Sequence, residues 1–258
     1  MSSVKIANTG VILLVDLTVK AKQLRNDVLD MCVKAGTGHV SSCFSCVEIM
    51  VALFYGGIMK PEDKFILSKG HASPLLYAIL ADKGIIDKAE LDNFAQPGGR
   101  LGVHLDHHIP GALITSGSLG IGLGIGAGMA IANPQSRIFV LMGDGECAEG
   151  SVWEAAMFIA QRKLNNIVAI VDCNGWGVIG KAPTIGELAD IWGGFGWKQH
   201  SWLGDSFHMW NIYIDYPNIF LCQTIKGKGI SFMENDWHWH GVAPQGELAK
   251  RAKDEISA

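Results

Sequence analysis

Two continuous apolar runs organise this chain. Ile138-Phe139-Val140-Leu141-Met142 and Ile167-Val168-Ala169-Ile170-Val171 are rich in β-branched residues and carry no alternating polar positions. That is the pattern of strands buried on both faces of a parallel sheet. The stretch between them, residues 151–163, reads as a helix, so the span is one βαβ unit with a right-handed crossover. Upstream, residues 18–35 place Leu24, Val28, Met31 and Cys32 on one helical stripe, which Gly36-Thr37-Gly38-His39 breaks. Residues 47–54 read as a buried helix, 65–67 as a short strand and 74–83 as another helix. Downstream, residues 218–224 read as a strand, 226–229 as a loop, and the segment after Gly246 as a polar helix. The expectation is one α/β domain over residues 1–258, with a doubly wound, mostly parallel sheet flanked by helices.

Two segments need separate treatment. Residues 109–132 carry no charge for 24 positions, the length of a membrane span. The glycines, Pro110 and the missing basic flank argue against a span. A helix whose glycines (Gly120, Gly122, Gly124, Gly126, Gly128) let it pack closely on other backbone is the reading. Residues 198–217 hold Trp202, Phe207, Met209, Trp210 and Tyr213 without a 3.6-residue period, and Gly204-Asp205 interrupts them. An irregular surface loop is expected there.

Composition narrows the function classes. Hydrophobic residues are 48% against 18% charged, and mean hydropathy is +0.22. Some of that apolar surplus is expected in a subunit interface. The net charge of −4, without a basic run, leaves no nucleic-acid footprint. Cys43 and Cys46 form a lone CxxC with no second pair, so the six cysteines read as reduced thiols of a cytoplasmic protein. The apolar patch 11–15 meets Asp16 and lacks a small-residue cleavage site, which makes a poor signal peptide.

The chemistry centres on Gly143-Asp144-Gly145 and Asn174, each directly after an apolar run. In a βαβ unit both leave the carboxyl ends of neighbouring strands, where open α/β sheets bind ligands. A carboxylate and an amide oxygen suit Mg²⁺ or Ca²⁺, and flanking glycines admit an anion close to the backbone. Two look-alikes fail. Gly175 to Lys181 nearly spells a phosphate-binding loop, but Ala182 lacks the metal-binding hydroxyl. Gly122-x-Gly124-x-x-Ala127 follows no good strand.

GDGECAEGSVWEAAMFIAQRKLNNIVAIVDCN as a whole resembles the thiamine-diphosphate motif of transketolases. So do ILSKGHASPLLYAIL (66–80), ITSGSLGIGLGIGAGMA (114–130) and QTIKGKGISFMEN (223–235). The similarity runs from about residue 18 to 248 and covers the family's first, diphosphate-binding domain. It implies transfer of a two-carbon ketol unit from a ketose phosphate to an aldose phosphate. It also implies metal ligation by Asp144, Asn174 and the backbone carbonyl of Trp176, and cofactor contacts from His71, Gly117, Ser118, Leu119 and Gly145. His39, His71, His104 and His240 match family histidines that touch substrate or cofactor, a task suited to imidazole. Glu149 and Glu154 match a carboxylate network linking two active sites, although Ser151-x-x-Glu154 alone could be a capping box. His104, His107 and His108 suggest zinc but lack a fourth ligand.

The resemblance has departures. His39-Val40-Ser41 stands for His-Pro-Gly, Gly102-Val103-His104 for Gly-His-Pro, and residues 198–217 are shorter than in the family. In that family a second domain supplies the pyrimidine-binding half of the site. Only twelve residues follow Gly246, so a separate C-terminal subunit is the expected partner, in an α2β2 assembly about a homodimer core. Two alternatives stand beside this one: the α subunit of a 2-oxo acid dehydrogenase, and a non-catalytic assembly subunit that keeps the fold.

Overall fold

The computed structural model describes residues 3–4, 15–178, 180–203, 207, 212 and 215–257. Its centre is a sheet of five parallel strands: β1 (Lys64–Leu67), β2 (Ile138–Gly143), β3 (Ile167–Cys173), β4 (Lys198–Leu203) and β5 (Asn218–Gln223). Their spatial order is β1-β2-β3-β5-β4. In β2 and β3 the continuous apolar runs are fully buried, because each strand feeds two cores at once. Phe139, Leu141, Val168 and Ile170 point to one face, against α1 (Leu17–Ala35), α2 (Val40–Ser45), α3 (Val47–Tyr55) and α4 (Ser73–Asp82). Val140, Met142, Ala169 and Val171 point to the other, against α5 (Gly122–Ala132), α6 (Gly150–Arg162) and α7 (Ile185–Gly194). The sheet is therefore covered on both faces, as a parallel sheet requires. α8 (Glu247–Ser257) returns to α1 on the first face, burying Ala252 and Ile256.

Local chemistry fixes the element ends. Asp16 caps α1 by accepting the N–H groups of Thr18 and Val19, and Gly36 closes it at φ 70°. In α5 the glycines divide into two sets. A Cβ on Gly126 would stand 2.9 Å from Val140, and one on Gly122 would stand 2.2 Å from the Ser68 hydroxyl. Those two set the close approach of helix to sheet. Gly124 and Gly128 instead face outward on the exposed side of the helix.

Two expectations need correction. The loop anticipated over 198–217 begins as strand β4, in parallel register with β5 from Lys198↔Asn218 to Leu203↔Gln223. Its Lys-Gln-His-Ser start is largely exposed and polar, so no apolar run announced it. Residues 204–206, 208–211 and 213–214 lie outside the described residues, as do 11–14 of the apolar N-terminal patch. Ser151 and Glu154 form no capping box, because the N-cap of α6 is Glu149, two positions before Ser151. The Ser151 hydroxyl donates to the Gly120 carbonyl at 3.1 Å instead. No helix among the described residues is long and apolar enough to cross a membrane.

Candidate active site

The register Gly143↔Asp172 brings Asp144 and Asn174 out of adjacent strand ends. Asp144 Oδ1 accepts the Gly145 N–H at 2.8 Å, and Oδ2 accepts the Gly175 N–H at 2.5 Å. Asn174 Oδ1 accepts the Trp176 N–H at 3.1 Å. These bonds aim both oxygens at the turn after β3 and leave each a further lone pair. The stretch that nearly spells a phosphate loop is a small antiparallel ribbon, Trp176–Gly177 against Gly180–Lys181. It lies so close over Gly145 that a Cβ there would meet the Gly177 Cα at 3.0 Å.

A cavity of about 300 Å³ opens at this end of the sheet. Asp144, Gly145, Asn174 and Trp176 are among the residues that line it, as are His71, His240, Leu119 and Glu149. His39 joins His71, His104 and His240 in one cluster, with ring centroids 5.3, 5.6 and 5.2 Å away. All four histidines are thus gathered, although they come from four separate stretches of chain. The departures around His39 and His104 do not prevent this. His104 is the exposed member, beside Gly117. Gly117 to Leu119 form a loop pinned at both ends: Ser116 N–H donates to the Leu105 carbonyl at 3.0 Å and Gly120 N–H to Glu146 at 2.8 Å. Ser118 and Glu154 are exposed and do not line the cavity.

Burial keeps three of the rings, His39, His71 and His240, neutral. Burial, reinforced by His240 and His104, draws His39 down to about 3. Burial and then the Lys226 ammonium draw His240 down to about 4, and His71 falls well below its usual value through burial and Lys69. Asp144 moves the other way, up to about 7, because it is buried and faces Asp172. Beneath the cavity Lys69 and Asp172 form an ion pair that is almost wholly out of solvent. Asp172 also accepts the hydroxyls of Ser45, at 2.5 Å, and Thr224, while Lys69 donates to the Ser42 carbonyl at 3.1 Å. A buried pair offsets its desolvation only when its remaining valences are met, as these are. Burial opposes the charge on Lys69, but Asp172 overrides it and raises the amine above its ordinary value.

The donor set fits a divalent cation and an anion beside it. Two hard oxygens sit at one strand-end turn, and among the described residues the buried Asp144 carboxylate accepts hydrogen bonds only from backbone N–H groups. The Nδ1 of His39 is buried with no hydrogen-bond partner, as is the Ser116 hydroxyl. Both polar atoms sit in the shell around the cluster, where a bound group could satisfy them. The suspected zinc cluster is differently composed: Asp106, His107 and His108 gather their donor atoms within 4.8 Å on the surface, and His104 is elsewhere.

The thiamine diphosphate binding domain profile of transketolases matches residues 17–256. This chain belongs to the transketolase family. It is 35% identical to one of the subunits of apulose-4-phosphate transketolase from Phocaeicola vulgatus, over 93% of this chain and 94% of that protein. It is also 35% identical to 6-deoxy-6-sulfo-D-fructose transketolase subunit SqwG of a Clostridium species, covering 94% and 96%. Against human transketolase the identity is again 35%, but the chain spans only 41% of that protein. Transketolase of Campylobacter jejuni superposes with a TM-score of 0.81 at 26% identity, over 93% of this chain and 42% of that one. The chain is therefore a transketolase-type enzyme subunit carrying the thiamine-diphosphate-binding domain, which sets aside the 2-oxo acid dehydrogenase alternative.

Sequence reasoning missed four buried charged residues at or beneath this candidate site: Lys69, Glu146, Asp172 and Lys226. Each is a charged group embedded in apolar or glycine-rich sequence and buried in the structure. A lone charge ending a buried strand, as Asp172 does, was the available signal.

Proposed function

We propose that this chain is the N-terminal, cofactor-binding subunit of a two-subunit transketolase. It would move a two-carbon ketol unit from a ketose phosphate to an aldose phosphate, using thiamine diphosphate and Mg²⁺ (or Ca²⁺). The carrying observation is the convergence of Asp144 and Asn174, from adjacent strand ends, on the cavity shared by His71 and His240. Asp144, Asn174 and the Trp176 carbonyl would hold the metal, and Gly145, His71 and the Gly117–Ser118–Leu119 loop would hold the cofactor. Thiamine diphosphate, when bound, supplies the carbanion chemistry that cleaves a ketose beside its carbonyl. The protein's share is orientation and proton handling. His39, His71, His104 and His240 would hydrogen-bond sugar hydroxyls, the task imidazole suits near neutral pH.

The need for a partner follows from the two relatives covered almost end to end, each named as one subunit of a transketolase. Copies of this chain would meet through the exposed side of α5 and α6, where Ile121, Ile125, Met157 and Phe158 lie open to solvent. Glu149 and Glu154 stand at the start of α6, as a carboxylate link between two sites would require. Two such copies with two partners give α2β2. The deciding assay supplies a ketose phosphate and an aldose phosphate to the chain alone and with its candidate partner. Turnover only in the mixture is expected. Turnover by the chain alone would refute the two-subunit reading. Cofactor binding without turnover in any mixture would favour a non-catalytic assembly role.

A further inference from the structure

Lys226 is almost fully buried, yet it makes no ion pair with a carboxylate among the described residues. Its ammonium lies 3.2 Å from the Ser42 hydroxyl and 3.2 Å from Nδ1 of His240. An ammonium has three donors and no acceptor, so the Nδ1 it faces must carry a lone pair. The His240 ring is neutral, and a neutral imidazole holds one proton. That proton must then sit on Nε2. Among the described residues nothing accepts from Nε2, and the ring lines the cavity.

We propose that Lys226 is a positioning residue that locks His240 in its Nε2–H tautomer, so that the ring meets an oxygen in the cavity as a donor. The opposite tautomer would present a lone pair there and repel a phosphate or carbonyl oxygen. Three features hold the lock in place. Lys226 is anchored through Ser42, on the buried helix α2. The His240 N–H donates to the Trp237 carbonyl at 2.9 Å. Gly241, at φ 77°, brings the chain under the His39 ring, where a Cβ would stand 3.3 Å from Nε2. Burial, then the neighbouring Lys69 ammonium, draw Lys226 down to about 8, so near neutral pH the amine is still a donor.

This inference rests on His240 being a cavity-facing group of the proposed site, but its test needs neither turnover nor partner. Nitrogen-15 spectra of the histidine-labelled full chain, assigned with His240→Gln, report which ring nitrogen is protonated. The wild type should show Nδ1 unprotonated and Nε2 protonated, with a preference of about tenfold or more from one charge-assisted bond. Lys226→Met should bring both resonances toward intermediate values, and Lys226→Arg should keep the wild-type pattern. If Lys226→Met does not fold, Lys226→Ala and Lys226→Leu provide the same comparison. A protonated Nδ1 in the wild type, or an unchanged pattern without the amine, would overturn the assignment. Neither result bears on ketol transfer, and failed turnover would leave the spectrum unmoved.

Discussion

The Glu146 carboxylate accepts the backbone N–H of Gly120 at 2.8 Å, across 26 positions of sequence. It also takes the Ser68 hydroxyl at 2.5 Å and the Gly143 N–H at 3.3 Å. One buried side chain thus ties the Gly117–Leu119 loop, the end of β1 and the end of β2 to each other. Burial pushes its carboxyl up from the usual range despite these donors.

Glu146→Gln should loosen that tie. Gln has one acceptor oxygen, and its NH₂ would face groups that also donate. Stability should fall by about 1–3 kcal/mol, the cost of leaving buried polar groups unpaired. Thiamine diphosphate affinity should fall with it. Calorimetric melts and cofactor titration check both, and wild-type values in each would show that the bonds hold nothing in place.

Asp144→Ala should weaken cofactor binding by at least about tenfold, since even residues behind a metal's direct ligands cost that much. Chelation should have the same effect on the wild type and little further effect on the variant. Titrating the cofactor with and without chelator, partner present, gives the comparison. Equal affinities throughout would rule out a metal-mediated site.

Glycines on either side of the α5 boundary should respond oppositely. Gly120 has φ +88°, and its Cβ would stand 2.5 Å from the Ser151 hydroxyl and 2.6 Å from the Glu149 Cβ. Gly120→Ala should cost about 3 kcal/mol from the left-handed backbone and the overlap together. Gly128 has nothing within 4 Å of its missing Cβ, so Gly128→Ala should stabilise the isolated chain by about 0.5–1 kcal/mol. Denaturant melts of the two variants read the signs directly.

Acid should unfold the protein partly through its histidines. With His39 at about 3 and His240 at about 4 in the fold, against about 6.5 unfolded, the native state binds fewer protons between those values. Stability therefore falls as pH drops from about 6.5 toward 4. Asp144, at about 7, opposes this, because the native state holds its proton longer. Replacing His39 isolates one contribution, set by burial and by His240, His104, Lys226 and Lys69 around it. His39→Gln should make the acid slope shallower by up to about 1.4 kcal/mol per pH unit. Parallel slopes for variant and wild type would contradict the shift.

The sheet was legible where burial is total. In 138–142 and 167–171 every side chain is inside, so composition alone marks a strand. β4 was not legible, because its first four residues are polar and its pairing with β5 needs only backbone; the stacking of His200 on Phe220 at 4.3 Å leaves no trace in a period. At the site, motif residues such as Asp144, Asn174 and the four histidines could be named from sequence. Their supports could not. Lys69 meets Asp172 across 103 positions and Glu146 meets Ser68 across 78, and a pairing of that kind exists only once the fold is known. The capping box failed for a local reason, since α6 starts at Gly150 with Glu149 as its N-cap and so holds Ser151 inside the helix.

The strand order β1-β2-β3-β5-β4 also bears on synthesis. β4 pairs only with β5 among the described residues, and β5 is made after it. As the chain leaves the ribosome, β1 to β3 can assemble while β4 waits without a neighbour and the flank of β3 stays bare. The last strand must then slot between two already made. Parallel, long-range closure of this kind is slow and exposes sticky surface meanwhile. Early truncation, stalling or rapid overproduction should therefore send this protein to aggregates, whereas slowed translation or chaperone supply should recover it.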